Sequence, residues 1–239
     1  MAIQNGFIQI IQDEKRDYQY EEAMKTLRTN IQFSGNGLKV IMLTSAMPDE
    51  GKSETSSQLA ISMAQTEERV LFIDADIRKS VLVARFGGGQ QIYGLTQYLT
   101  GQRLLGEVLY HTNLPNLDII FSGPMAPNPA ELLSEDAFSK LIAWARNEYD
   151  TIIIDTPPLG SVIDGAIIAQ RCDRAILVVE SGALSYRLVQ KAKSQLERTG
   201  CRILGAVLNR VDMAGSGYYH RYYGKYSKYT KYYENEPVK

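Results

Sequence analysis

Three stretches of this chain carry residues suited to handling a phosphate. AMPDEGKS, residues 46–53, fits the pattern [AG]-x4-G-K-[ST] and lies between an apolar run and a helical stretch. A loop of this kind, Met47, Pro48, Asp49, Glu50, Gly51, Lys52, Ser53 and Glu54, aims its backbone N–H groups at phosphate oxygens. The start of the following helix adds its dipole. Lys52 would reach the β- and γ-phosphates, and Ser53 would ligate Mg²⁺. The strand-loop-helix context makes a chance Gly-Lys-Ser match a poor explanation. Asp49 stands where many such loops have glycine. Aspartate tolerates a left-handed backbone better than most residues, but its carboxylate should face away from phosphate.

LFIDADIR, residues 71–78, puts Asp74 and Asp76 at a strand end, where alternation turns both the same way, with Arg78 close by. Two carboxylates beside a phosphate site repel each other and the nucleotide unless a cation lies between them, which favours Mg²⁺. The spare carboxylate could accept a proton from a hydroxyl nucleophile. Asp74 is preferred for that role and Asp76 for the metal, although sequence leaves the choice open. IIIDTPP, residues 152–158, ends another strand with Asp155, the expected second carboxylate of a Mg²⁺-phosphate site. Asp-Thr-Pro-Pro is also good turn chemistry, and the two readings are compatible.

A possible nucleophile is supplied in abundance at the C-terminus. Tyr218, Tyr219, Tyr222, Tyr223, Tyr226, Tyr229, Tyr232 and Tyr233 are spaced by Gly, Ser, Thr, Lys, Arg and His. From Gly215 onward there is no Leu or Ile and a single Val. Such a segment cannot offset the entropy of ordering itself, so it reads as a mobile arm of phenol hydroxyls. A merely adhesive Tyr/Lys tail is the plainer alternative.

Alternating elements must position these groups. Residues 17–33 read as an amphipathic helix, with Tyr20, Met24, Leu27 and Ile31 on one face, stopped by Ser34-Gly35-Asn36-Gly37. Apolar strand-type runs follow at 38–45, 70–76, 117–121, 151–155, 175–180 and 202–209. Helical patterns lie at 52–66, 130–148 and 185–198. Continuous apolar strands between helices predict an α/β fold, a doubly wound, mostly parallel sheet covered on both faces. The expected organisation is an N-terminal segment and helix (1–37), a phosphate-loop domain (38–214) and a tyrosine-rich tail (215–239).

Composition narrows the function. A net charge of -1 argues against a general nucleic-acid binder. Cys172 and Cys201 form no CxxC pattern and suggest a reducing cytoplasm. Two histidines are too few for a histidine-based metal site. No signal-peptide pattern and no apolar run of about 18 residues is visible, so action at a membrane would require another molecule.

The three motifs in this order, with the tail, resemble the bacterial tyrosine kinases (BY-kinases) of capsule and exopolysaccharide synthesis. AMPDEGKS is similar to their Walker A motif, LFIDADIR to Walker A′ and IIIDTPP to Walker B. APNPAELL (126–133) is similar to a further family segment. GAVLNRVD (205–212) resembles the strand and turn that read the nucleotide base, which assigns Asn209 and Arg210 to the cofactor. Glu22, Lys25 and Arg28 resemble a Glu-x2-Arg-x2-Arg subunit contact, with Lys25 in place of the first arginine, and Glu54 replaces the usual Ser or Thr after Ser53. Lysine cannot make the bidentate carboxylate pair that arginine can.

The resemblance implies an ATP- and Mg²⁺-dependent autokinase that phosphorylates its tail in trans. It also implies a ring-like homo-oligomer, with eight subunits as the candidate number, and the cytosolic tail of a separate membrane activator. A cognate tyrosine phosphatase and a cytoplasmic, peripheral position at the inner face of the membrane complete the expectation. The rival readings are a MinD/ParA-like ATPase switch and a catalytically weak scaffold. The switch proteins carry a second lysine early in the loop, where this chain has Met47.

Overall fold

The computed structural model describes residues 6–11, 18–35, 37–87 and 91–211. The tyrosine cluster, and with it the expected boundary at residue 215, lies outside the described residues. Among the described residues, eight strands form one sheet in the order β1-β4-β5-β3-β6-β2-β7-β8. They are β1 (Gly6–Ile8), β2 (Val40–Ser45), β3 (Val70–Asp74), β4 (Leu109–Thr112), β5 (Leu117–Ile120), β6 (Thr151–Asp155), β7 (Arg174–Glu180) and β8 (Arg202–Asn209). β5, β3, β6, β2, β7 and β8 are mutually parallel, as the apolar runs predict. β4 is antiparallel to β5, and β1 runs parallel to β4 at the edge.

The helices are α1 (Tyr18–Gln32), α2 (Lys52–Ala64), α3 (Leu82–Phe86), α4 (Leu95–Leu99), α5 (Leu105–Val108), α6 (Pro129–Ser134), α7 (Asp136–Glu148), α8 (Asp164–Ala169) and α9 (Tyr186–Arg198). Strand alternation separates two cores. Val70, Phe72, Ile41, Leu43 and Ile153 face α1 and α2, joining Ile31, Leu59 and Met63. Leu71, Ile73, Met42, Ile152 and Ile154 face the other way, onto Phe138, Leu141 and Leu196. The sheet is therefore covered on both faces, the doubly wound arrangement.

Helix α2 is buried almost throughout although it is rich in hydroxyls: Thr55, Ser56, Ser57 and Ser62 are all buried. Thr55 Oγ1 donates to Gly51 O at 3.0 Å, and Ser57 Oγ to Glu54 O at 3.0 Å. Satisfied internally, these small side chains let the helix lie close against the sheet.

Three local expectations change. The helix read over 130–148 is two helices, because Glu135 is extended (φ -70°, ψ 162°) and begins a second helix. The strand beginning at 38 starts at Val40. Asp173 accepts the N–H groups of both Lys39 and Val40 at 2.9 Å and takes two further bonds from Arg146. This clamp starts β2 beside β7. Finally, β3 ends at Asp74, so Asp76 belongs to the loop that follows rather than to the strand. Cys172 and Cys201 are free thiols. Among the described residues no helix is long and apolar enough to cross a membrane.

Candidate active site

The carboxyl ends of β2, β3 and β6 meet at one point. The register pairs Asp74 directly with Asp155, and Leu43 with Asp155 on the other side. Asp155 and Asp74 are thus nearest neighbours at the strand ends, where open α/β sheets bind their ligands. The Thr156-Pro157-Pro158 turn then leaves the sheet but stays tied to β2, with Thr156 N–H donating to Leu43 O at 3.2 Å. Asp155 serves both as a site carboxylate and as the start of a turn.

The phosphate loop closes over these carboxylates. Asp49 adopts φ 65° and Gly51 φ 84°, two left-handed residues that wrap the loop into a nest of amides. Asp49 takes the conformation that its type tolerates and is exposed. Glu50 is almost fully buried. Its carboxylate accepts the Met47 N–H at 2.7 Å and the Glu180 N–H at 3.2 Å, tying the loop to β7. Asn209 Nδ2 donates to Glu50 O at 3.0 Å. A Cβ at residue 51 would fall 2.0 Å from that nitrogen, so glycine is required by space as well as by its φ. Met47 and Pro48 are exposed on the loop crest, while Glu54, in the first turn of α2, pairs with Arg85.

Lys52 is the cation set between Asp76 and Asp155. Its Nζ lies 3.3 Å from Asp76 Oδ2, 3.4 Å from Asp155 Oδ2 and 3.1 Å from Ser53 Oγ. Burial alone would lower the Lys52 ammonium, but Asp155, Asp76 and Asp74 together raise it above its ordinary value. Asp74 is fully buried. Burial and the neighbouring Asp155 push its carboxyl up to about 7, against the hydrogen bond from Ser80 Oγ and the Lys52 charge. Burial likewise raises Asp155, opposed by Lys52 and by the hydroxyls of Ser53 and Ser56.

Asp76 reaches this group by a loop rather than by strand alternation. Its own N–H donates to Asp74 Oδ1 at 3.2 Å, and its Oδ1 accepts the Lys79 N–H at 3.1 Å. Three carboxylates around one ammonium leave a net negative pocket, and Asp155 Oδ1 is buried with no hydrogen-bond partner among the described residues. An orphaned carboxylate oxygen beside Ser53 suits a divalent cation. No cluster of three or more His, Cys, Asp or Glu side chains able to hold a metal unaided occurs among the described residues. Magnesium fits that limit, since it habitually takes one or two carboxylates and completes its shell with phosphates and water.

Sequence reasoning overlooked two supporting residues. Ser80 holds Asp74 through a short hydrogen bond. Asp164, wholly buried, accepts Arg78 Nε at 2.7 Å and Nη2 at 2.9 Å, fixing the loop that carries Asp76. Ser80 was visible as a hydroxyl four residues past Asp76, whereas nothing local marks Asp164. Arg210 does not extend freely over the site; its guanidinium pairs with Glu180 at 2.8 Å. The expected subunit-contact triplet also makes contacts within the chain. Lys25 pairs with Glu22 at 2.7 Å, and Arg28 donates to Ser62 O at 2.6 Å, fastening α1 to α2.

A nest of amides, a buried lysine and carboxylates at parallel strand ends define a phosphate-loop nucleotide-binding protein. Consistent with that class, residues 38–199 match the family described as AAA domain. The MinD protein of Pyrococcus horikoshii, solved with Mg-ADP, shares the fold at TM-score 0.62 and 22% identity, over 74% of this chain and 72% of that one. A nearer likeness is the kinase domain of the Escherichia coli tyrosine kinase ETK, with TM-score 0.75 and 32% identity over 88% of this chain and 94% of that one. The tyrosine-protein kinase CpsD of Streptococcus agalactiae serotype III is 46% identical over 198 residues, 83% of this chain and 85% of that protein. The chain belongs to the family of bacterial tyrosine kinases.

Proposed function

We propose that this chain is an ATP- and Mg²⁺-dependent protein-tyrosine kinase whose substrate is its own C-terminal cluster, Tyr218 to Tyr233. The observation that carries this reading is Lys52, a buried ammonium set among Asp74, Asp76 and Asp155 and within reach of Ser53. The amides around Asp49 and Gly51 cradle the phosphates, and Lys52 leaves its carboxylates to meet the transferring group. Ser53, Asp76 and Asp155 would hold magnesium, which neutralises phosphate charge. Asn209, which is bonded to the loop, would lie at the base end of the nucleotide.

In the transfer, the tyrosine oxygen bonds to the γ-phosphorus while the bond to the β–γ bridging oxygen breaks and ADP leaves. The phenol proton passes to Asp74, the buried carboxylate beside Asp76 that is not assigned to magnesium. Positioning and charge neutralisation supply most of the acceleration in such reactions. In the cell, the reading places the chain at the inner face of the membrane, in the control of capsular or exopolysaccharide synthesis. There it would form a ring-like oligomer switched on by the cytosolic tail of a membrane activator and reset by a tyrosine phosphatase.

Lys52→Met separates this reading from a scaffold role. The variant should retain its circular dichroism spectrum and lose phosphotyrosine on immunoblots by about a thousandfold, the scale of losing a preorganised phosphate-binding charge. A folded variant labelled as fully as the wild type would remove Lys52 from the chemistry.

A further inference from the structure

A groove of about 440 Å³ opens beside Asp76, on the side of the phosphate site away from Asn209. Its rim is formed by Lys79, Val83, Ile92, Pro124 and Met125. On the kinase reading, the nucleotide would run from Asn209 at β8, past Lys52, to Asp76 beyond β3. The groove therefore continues from the end where the γ-phosphate must lie. Its floor is fixed in place. Leu95 and Thr96 N–H donate to Phe121 and Ser122 O at 2.6 and 2.9 Å, and a Cβ at Gly94 would lie 2.3 Å from Gly123 N. The walls offer two kinds of contact. Val83, Ile92 and Met125, the last 74% exposed, suit an aromatic ring. Lys79 is exposed and forms no ion pair among the described residues, whereas the neighbouring Arg78 is held by Asp164.

We propose that this groove docks the acceptor tyrosine and that Lys79 selects tyrosines followed by acidic residues, so that Tyr232 and Tyr233 are phosphorylated before the rest of the tail. The proposal rests on the kinase reading above. The occupant is the chain's own segment Tyr232-Tyr233-Glu234-Asn235-Glu236, the one stretch of the cluster in which carboxylates follow tyrosine. The tyrosines from 218 to 229 are instead surrounded by His220, Arg221, Lys225, Lys228 and Lys231, which Lys79 would repel. Chain length permits the contact. Residue 232 is 23 positions beyond Asn209, an extended reach of up to about 75 Å at ~3.3 Å per residue. From β8 to β3 is four strand spacings, about 19 Å at ~4.8 Å each. The segment can therefore reach its own groove or a neighbour's. Each phosphate added near Tyr232 places a new anion beside the next tyrosine upstream, so modification should spread from the C-terminal end inward.

The test is time-resolved mass spectrometry of the full chain with Mg-ATP, assigning phosphate to each tyrosine. The wild type should show phosphate at Tyr232 or Tyr233 first. Lys79→Glu should slow those two sites by about fivefold to tenfold, the effect of turning an exposed attraction into a repulsion. It should leave the basic-flanked tyrosines as fast or faster. Combining Lys79→Glu with Glu234→Lys and Glu236→Lys should restore early modification at Tyr232 and Tyr233. First phosphate at any tyrosine from 218 to 229 in the wild type, or an order unchanged by Lys79→Glu, would overturn the proposal while leaving the kinase assignment intact. A chain that transfers no phosphate to tyrosine would remove both.

Discussion

Replacing Asp74 with asparagine should stabilise the nucleotide-free protein while disabling it. Asp74 is wholly buried, and its carboxyl is raised from 3.8 to about 7 by burial and by Asp155. A group whose folded pKa is raised makes the native state bind more protons than the unfolded chain, so stability falls as pH rises through that interval. Below about pH 4 both states are protonated and nothing is lost. Between pH 4 and 7 the penalty grows, and above 7 it is constant. About three pH units at 1.36 kcal/mol each give roughly 4 kcal/mol. Asparagine removes this penalty but can accept only one of the two bonds now made by Asp76 N–H and Ser80 Oγ, at a cost of about 1 kcal/mol. The net gain at pH 8 is about 3 kcal/mol, or about 6–12 °C in Tm for a chain of this size. Urea unfolding followed by circular dichroism, with chelator present, measures it. The gap between variant and wild type should widen from pH 4.5 to 7 and then level, while phosphotyrosine formation falls by about 10²- to 10⁴-fold. A gap that is the same at pH 5 and pH 8, or a variant less stable than the wild type at pH 8, would refute this account of Asp74.

Asp76→Asn should weaken Mg-ATP binding in calorimetric titration by about tenfold or more, whereas Asp74→Asn should leave affinity nearly unchanged; the reverse pattern would exchange their roles. Glu22→Ala with Lys25→Ala should lower oligomer mass in light scattering without changing stability. Arg28→Ala should instead cost about 1–2 kcal/mol in urea, because Arg28 fastens α1 to Ser62. Asp173→Ala should cost about 2–4 kcal/mol by unclamping β2 from Arg146. Burial opposes ionisation of Asp173, but Arg146 and the Lys39 and Val40 amides hold its pKa below the ordinary value. The wild-type contribution is therefore present above the usual carboxylate range and lost as pH falls through the lowered pKa. An Asp173→Ala deficit that does not shrink in acid would contradict the clamp.

The features legible in sequence were those written in contiguous residues. The phosphate loop, the strand-ending Asp155 and the apolar runs of the parallel strands are each local patterns, and the doubly wound sheet follows from their alternation. Features that depend on distant partners were not legible. Asp164 acquires its role only by meeting Arg78, 86 positions away. Three-residue β1 and four-residue β4 are too short to show a period and exist because the sheet edge pairs with them. Serine-rich α2 looks like a solvent-facing helix in composition, yet its hydroxyls satisfy themselves and it packs as core. Alternation along β3 predicts that pleating aims Asp76 at the site, but β3 ends at Asp74 and a turn brings that carboxylate to Lys52. Arg28 fitted a subunit-contact pattern, and the fold gives it a partner on α2.

The most direct test of the account is to incubate the purified full chain, and a chain ending at Gly217, with Mg-ATP and to quantify phosphotyrosine by mass spectrometry against free phosphate. The account predicts multiple phosphotyrosines between residues 218 and 233 of the full chain, almost none on the truncated chain, and undiminished nucleotide binding by both. Free phosphate released without phosphotyrosine on either chain would contradict it and favour a hydrolytic switch.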